Sequence, residues 1–353
     1  MRIELKVMLV EISLLATLGC LLTPQAFADD CEPDQGMTFL CGPQNAEDLV
    51  FLPETPWMIA SGMSSEGVNG HLYLVNPDTH TFQELYPESG KDAFDKQAYP
   101  DCLGPLDRTN FSAHGLSLLT IADGRHQLYV TSHGAREAVE VFAVDAQSAQ
   151  IELSWVGCVP IPTHNDINSV AALADGGFLT TRIAGQGPLA SGDIFAGEVT
   201  GFLYEWHPGG SLQSVPGTQM SGPNGIVVSA DQRSVYVALW GGQGVTKFER
   251  GAENILTPVQ TLELPFRPDN LRWTSSGSIL AVGHRMSANS DCGQPLCFDA
   301  WEVAEVDPKT MTAEIVLTKK PIPGFTGATV ALRHANGLWL GTFHGDRLVQ
   351  VEF

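Results

Sequence analysis

Basic residues are scarce in this chain: 19 Lys and Arg stand against 40 Asp and Glu, a formal net charge of −21 over 353 residues. Such a surface repels phosphate backbones and anionic headgroups, so no nucleic-acid partner and no stable membrane association are expected. Cysteine is also sparse, and no CxxC pair or Cys/His cluster at zinc spacing occurs, which argues against a zinc site. Beyond the N-terminus no window shows sustained helical periodicity. No Pro/Ser/Gly-rich linker or charged tail divides the chain, so residues 29–353 read as a single domain. The acidity itself is most simply a device for solubility outside the cell, and it suits a calcium-containing environment.

What is present begins with the apolar stretch Ile12–Leu22, followed by Thr23-Pro-Gln-Ala-Phe-Ala28 and then Asp29-Asp30. Eleven apolar residues are too few to span a bilayer, and an A-x-A ending marks a signal peptide, 1–28, cleaved after Ala28. A secreted or periplasmic location follows. A lipoprotein anchor at Cys20 is the rival, but Thr17-Leu-Gly-Cys20 fits that pattern badly. Cleavage removes Arg2 and Lys6 together with Glu4 and Glu11, leaving the net charge unchanged. Six cysteines remain, an even number that favours disulfides in an exported chain. The local guesses are Cys31 with Cys41 and Cys292 with Cys297, which leaves Cys102 with Cys158.

Short apolar or alternating runs recur: Trp57-Met-Ile-Ala, His71-Leu-Tyr-Leu-Val, Gln127-Leu-Tyr-Val-Thr, Ala138-Val-Glu-Val-Phe, Gly177-Phe-Leu-Thr-Thr, Ser234-Val-Tyr-Val-Ala-Leu, Ser278-Ile-Leu-Ala-Val and Gly337-Leu-Trp-Leu-Gly-Thr. Bounded by Gly, Pro, Asp and Asn, these read as strands of an all-β chain. The alternation of polar turn, apolar strand and turn points to a β-propeller, which protects its sheet edges by radial repetition. Six blades would take roughly 54 residues each of the mature chain. Segments 88–110, 184–201 and 286–301 look like excursions on one face, where loops often cover sites.

Five oxygen-bearing side chains, Glu47, Asn168, Asn224, Asp269 and Asn270, each stand where a turn-rich segment enters a short apolar run. Carboxylates and carboxamides are hard ligands suited to Ca²⁺, so one central calcium site gathered from several blades is expected.

Several blocks then occur together. Glu47-Asp-Leu-Val-Phe-Leu-Pro and Met58-Ile-Ala-Ser-Gly-Met are followed by Phe111-Ser-Ala-His-Gly-Leu-Ser, and His133 comes nineteen residues after His114. Ile167-Asn-Ser-Val-Ala-Ala-Leu, Gly222-Pro-Asn-Gly-Ile, Arg267-Pro-Asp-Asn-Leu and Ala281-Val-Gly-His284 complete the series. In content and order these resemble the paraoxonases, six-bladed propeller lactonases and arylesterases within the wider group of gluconolactonase and senescence-marker-like propellers. The resemblance implies that Glu47, Asn168, Asn224, Asp269 and Asn270 hold a catalytic calcium. It implies a His114/His133 dyad that deprotonates the attacking water, with Asp269 as a second base candidate and His284 as a pocket wall residue. The expected substrates are small lactones or esters.

The resemblance also implies a second, structural calcium held by Asp48, the Leu116 carbonyl and an aspartate where this chain has Ser169. A serine hydroxyl is a weaker, neutral ligand, so the second ion is not assured. A register using Asn165-Asp166 would supply an aspartate, but Asn168 aligns the following strand without a gap. The terminal disulfide of the animal enzymes has no counterpart near Val349-Gln-Val-Glu-Phe353, so ring closure is expected from hydrogen bonding between first and last strands. A Cys292–Cys297 loop after His284 would shape the pocket mouth. Two other functions stay open: a gluconolactonase-like sugar lactonase, and a non-catalytic calcium-containing binding module. Oligomeric state is not indicated.

Overall fold

Repeated strand-turn-strand units build six antiparallel sheets arranged as the blades of a propeller. The structure, a computed structural model, describes residues 31–122, 124–147, 150–162, 167–184, 193–251, 254–287, 297–335 and 337–353. The expected signal peptide, Cys292 and the Asn165-Asp166 pair lie outside the described residues. Among the described residues there is no α-helix, and each of the eight apolar or alternating runs read as strands falls in one to within a residue.

Six inner strands pack side by side around the axis: Leu49–Phe51, Ala113–Ala122, Ile167–Ala172, Pro223–Val228, Arg267–Trp273 and Ala328–His334, for blades one to six. Large apolar side chains fill the spaces between blades. Trp155, Tyr129 and Phe142 do so at blade two, and Trp301 and Phe325 between blades five and six. Burial of these faces is the main stabilising term, each large side chain contributing about 1.5–3 kcal/mol.

The expected closure is present. Met37–Cys41 adds antiparallel to Arg347–Glu352, with Met37 opposite Val351 and Cys41 opposite Arg347, so the N-terminal segment completes the last blade. The Cys31–Cys41 disulfide staples the segment leading into that strand. Cys102–Cys158 is also formed, and Cys297 is disulfide-bonded.

The 88–110 segment is not simply a cover over one face. Lys91-Asp92 pairs in parallel with Ser154-Trp155 as a fifth, outermost strand of blade two. The segment is held there by Cys102–Cys158 and by Arg108, which donates to Asp92 and to the Gly90 carbonyl.

One irregularity recurs and places the site. In blade three Ile167 opposes Arg182 and Val170 opposes Thr180, so three steps on the inner strand face two on its neighbour. The same one-residue bulge occurs at 113–116, 223–226 and 268–271, and again at 328–330. A bulge leaves its extra residue unpaired and re-aims side chains, and here it does so at one end of nearly every inner strand.

Candidate active site

The bulges hold the polar residues singled out in the sequence: His114 in blade two, Asn168 in blade three, Asn224 in blade four, and Asp269 with Asn270 in blade five. Glu47 occupies the equivalent place just before the inner strand of blade one. Its N–H donates to the Ser61 carbonyl, and Ser61 N–H returns to the Asp48 carbonyl. Close approach between neighbouring bulges requires glycine at two of them. A Cβ on Gly115 would lie 2.6 Å from the Asn168 carbonyl oxygen, and one on Gly225 2.4 Å from that of Asp269.

Buried hydroxyls clamp these bulges to one another. Thr131 Oγ1 accepts from Gly115 N–H at 2.7 Å and donates to the Asn168 carbonyl at 2.7 Å. Thr181 repeats the pattern one blade on, accepting from Ser169 N–H at 3.0 Å and donating to the Asn224 carbonyl at 2.6 Å. Thr329 donates to the Glu47 carbonyl at 2.6 Å. The main chain of three donor residues is thus fixed by neighbours in adjacent blades.

All five predicted donors are brought together. Asn270 Nδ2 donates to Glu47 Oε1 at 2.7 Å, and the Asn224 side chain stands close enough to the Asp269 carboxyl to favour its ionised form. Glu47, Asn168, Asn224 and Asp269 line one cavity of about 760 Å³. Four buried oxygens from this set have no hydrogen-bond partner: Glu47 Oε2, Asn168 Oδ1, Asn224 Oδ1 and Asn270 Oδ1. A buried unpaired polar atom costs about 1–3 kcal/mol, so three on residues that line one cavity, with a fourth on Asn270 bonded to one of them, call for a compensating ligand.

The electrostatics point the same way. Glu47 is raised well above the carboxylate range, by burial first and then by Asp269 and Asp48. Asp269 is pushed up to about 8, chiefly by burial, with Asn224 opposing. Two acids destabilised in this way, set among neutral amide oxygens with the His114 and His284 rings 3.7 and 3.8 Å from their carboxylates, fit a hard divalent cation such as Ca²⁺ better than a soft metal.

His114 and His133 are joined as expected. His114 Nδ1 lies 2.7 Å from His133 Nε2, and His133 Nδ1 lies 2.9 Å from Glu137 Oε2. Read outward from the carboxylate, this order makes His133 donate from Nδ1 and accept at Nε2, and makes His114 donate from Nδ1. The lone pair of His114 then sits on Nε2, which faces Glu47 Oε1 at 3.7 Å. Burial first, then His133, lowers the His114 pKa well below the usual imidazole value, so the ring is neutral at ordinary pH. The contact with Glu47 is therefore polar rather than an ion pair.

Glu137 was not singled out in the sequence. It is buried, and its other oxygen accepts from Ile167 N–H at 3.0 Å, tying the relay to blade three. The available signal was its place four residues after His133.

His284 does form part of the cavity wall, set edge-on against Phe298 and Phe343 at centroid distances of 4.9 and 5.7 Å. Burial lowers its pKa to about 4. The rest of the wall is Met63, Phe195, Trp240 and Met286, so apolar groups surround a polar floor. Phe195 and Asp193 come from the 184–201 excursion, and Met286 and Phe298 from the 286–301 excursion, so these two do border the site.

Asp48 and Leu116 are found together too, but their polar atoms are engaged by Arg272. The Asp48 carboxylate pairs with Arg272 Nη2, which also donates to the Leu116 carbonyl at 3.1 Å.

Known proteins resemble this chain in sequence and in fold. Human serum paraoxonase/arylesterase 1 is 25% identical over 254 residues, 67% of this chain and 65% of that protein. Human serum paraoxonase/lactonase 3 is 25% identical over 250 residues, 68% of this chain and 66% of that protein. The match thus spans slightly under two thirds of the length of these relatives. Among solved structures, a luciferin-regenerating enzyme superposes with a TM-score of 0.54 at 14% identity, over 89% of this chain and 93% of that one. A provisionally named gluconolactonase gives 0.55 at 14% identity, over 91% and 93%. These two likenesses establish the propeller fold. The family model described as Arylesterase matches residues 43–344, a span that takes in every donor and both histidines, and the chain belongs to that family.

Proposed function

We propose that this protein is an exported, Ca²⁺-dependent hydrolase of lactones and aryl esters. The observation that carries the metal assignment is the set of unpartnered buried oxygens of Glu47, Asn168 and Asn224, residues of three blades that line the cavity, with that of Asn270, bonded to Glu47, beside them. Glu47, Asn168, Asn224, Asp269 and Asn270 would hold the ion. When bound, Ca²⁺ supplies Lewis-acid polarisation of the substrate carbonyl and charge stabilisation for the oxyanion.

The chain's own residues do the rest. His114 Nε2, neutral and with a free lone pair, takes a proton from the attacking water. The imidazolium so formed keeps its Nδ1–H on His133 Nε2, and the Glu137 carboxylate holds the His133 tautomer and offsets the new positive charge across the relay. Without Glu137, placing this charge on a buried imidazole would be strongly opposed by desolvation. Asp269 remains a second base candidate, since burial raises its proton affinity. The apolar wall of Met63, Phe195, Trp240, Met286, Phe298 and Phe343 packs against an aryl or acyl group and offers few partners for the hydroxyls of an aldonolactone. That wall favours the aryl ester and acyl lactone reading over the sugar lactonase. Disulfides at Cys31–Cys41 and Cys102–Cys158 support an oxidising compartment and hence export.

The test is a panel of aryl esters, acyl lactones and aldonolactones assayed with and without Ca²⁺. Turnover of aryl esters or acyl lactones that chelation abolishes and calcium restores is expected. Full turnover in excess chelator rejects the metal role, and no turnover on the whole panel favours a binding module.

A further inference from the structure

The Arg272 guanidinium, carried on the inner strand of blade five, reaches across the axis into the first two blades. Nε donates to the Leu49 carbonyl at 2.8 Å, Nη1 to the Leu271 carbonyl at 2.7 Å, and Nη2 to the Leu116 carbonyl at 3.1 Å and to Asp48 Oδ2. Asp48 is wholly buried, and its carboxylate also accepts from Leu49 N–H at 2.8 Å and Leu116 N–H at 2.7 Å. We infer that Arg272 is a built-in cation that takes the place of a second, structural calcium, so that the protein holds one calcium ion and keeps its ring closed without another.

Two independent arguments support this. The first is occupancy: the carboxylate and the carbonyl that the family resemblance assigns to a second ion already receive a guanidinium whose donors are directed at oxygens of three blades. The second is charge. Glu47, Asp48 and Asp269 are the acids of this axial cluster, and one guanidinium with one divalent cation neutralises three carboxylates. A second divalent cation would leave two uncompensated positive charges in a buried site, which is strongly unfavourable. Ser169, where an acidic ligand would be needed, contributes only a neutral hydroxyl. That hydroxyl is buried and without a hydrogen-bond partner, so it neither holds an ion's charge nor competes with Arg272 for Asp48. Calcium at the catalytic position then becomes separable from folding, and its loss is reversible.

The inference rests on the proposed calcium site, and the experiment keeps the two apart by counting ions and measuring melting on the full chain. Metal analysis of protein dialysed against micromolar Ca²⁺ should give one ion per chain. Two ions overturn the inference; none rejects the calcium site and leaves the inference to the melting data. In excess chelator the parent should remain folded, whereas Arg272→Gln should melt about 6–12 °C lower, as expected when one partner of a buried pair is removed. Equal melting temperatures would overturn the inference. Should Arg272→Gln not fold, Arg272→Lys, which keeps the charge but not the fork, should fold with a lowered melting temperature that calcium does not fully restore. The double variant Ser169→Asp/Arg272→Ser is the converse. It should bind two ions and regain melting temperature on calcium addition, and a count of one overturns the exchange of guanidinium for metal.

Discussion

Glu47 and Asp48 are consecutive residues at the entry to the inner strand of blade one, both buried, yet their surroundings are opposite. Glu47 Oε2 has no partner and belongs to a set of bare oxygens around the cavity floor. Asp48 is saturated by two backbone N–H groups and the Arg272 guanidinium. The residues that follow them around the ring divide the same way, Asn168 facing the cavity and Ser169 bonded through its main chain to Thr180 and Thr181. One row of bulge residues presents oxygens to a ligand, while the row beside it secures the blades to each other. A bulge that turns successive side chains to different surroundings lets one structural repeat do both.

The sharpest way to break this division is at Glu47. Glu47→Gln keeps size and the Asn270 contact but removes the charge, and should reduce lactone and ester turnover by about a thousandfold or more with loss of bound calcium, since Lewis-acid stabilisation disappears with the ion. Melting in chelator should be unchanged or higher than that of the parent, because an uncompensated buried acid has been neutralised. A variant that loses stability in chelator while retaining its calcium would erase the distinction between the two rows.

The relay separates metal binding from proton transfer. His114→Gln should cost about a hundredfold in turnover, within the range for a general base, with calcium content unchanged. Glu137→Gln should cost about tenfold, the scale of a residue that orients and supports a ligand or base, and should move the acid limb of the pH profile, since the relay would lose the carboxylate that offsets the charge formed on His114. Wild-type pH dependence in Glu137→Gln would reduce that residue to a structural link with Ile167.

The propeller and the gathering of Glu47, Asn168, Asn224, Asp269 and Asn270 were legible in the sequence because both leave local marks. Strand-length apolar runs between Gly, Asp and Asn turns set the blades, and an Asn or Asp at the mouth of an apolar strand is conspicuous. Arg272 was not legible. In Arg267-Pro-Asp-Asn-Leu-Arg-Trp simple alternation gives no reason to place it against Asp48, and the bulge between Pro268 and Leu271 shifts the phase of the strand in a way that composition does not reveal. Glu137 was missed for a related reason: its partner His133 lies in the turn beyond a strand end, where spacing does not determine direction. The 88–110 segment read as a loop because a two-residue parallel edge strand has too few residues to show alternation.

Protonation tests the bare-oxygen row more gently. With the Asp269 carboxyl pushed up to about 8 and Glu47 also raised, calcium must displace protons to bind below that range. Affinity should weaken by about tenfold per pH unit per displaced proton as pH falls from about 8. In the calcium-free protein the sign for stability is the reverse of the usual carboxylate case. The folded state holds a proton that the unfolded chain releases, so stability should fall as pH rises from the ordinary carboxylate value of 3.8 through about 8. Calcium titrations and melting curves across this range measure both, and an affinity flat in pH would mean that Asp269 is ionised before the metal arrives.

The smallest expected effect lies where the two rows meet. Thr181 Oγ1 accepts from Ser169 N–H and donates to the carbonyl of Asn224, so one buried hydroxyl ties the structural row of blade three to a calcium donor of blade four. Thr181→Val preserves shape and removes only that oxygen. The Ser169 N–H is left buried without its partner, a cost of about 1–3 kcal/mol, which in a chain of this size should appear as a few degrees of melting temperature. Calcium affinity should fall only a few-fold, because the Asn224 side chain remains while its main chain is less firmly held, and turnover at saturating calcium should be nearly that of the parent. Calcium titration and thermal melting on the same preparation separate the two effects. A lowered melting temperature with unchanged affinity would mean that the hydroxyl serves the blades alone, and that the donors are positioned by their own bulges without help from the row behind them.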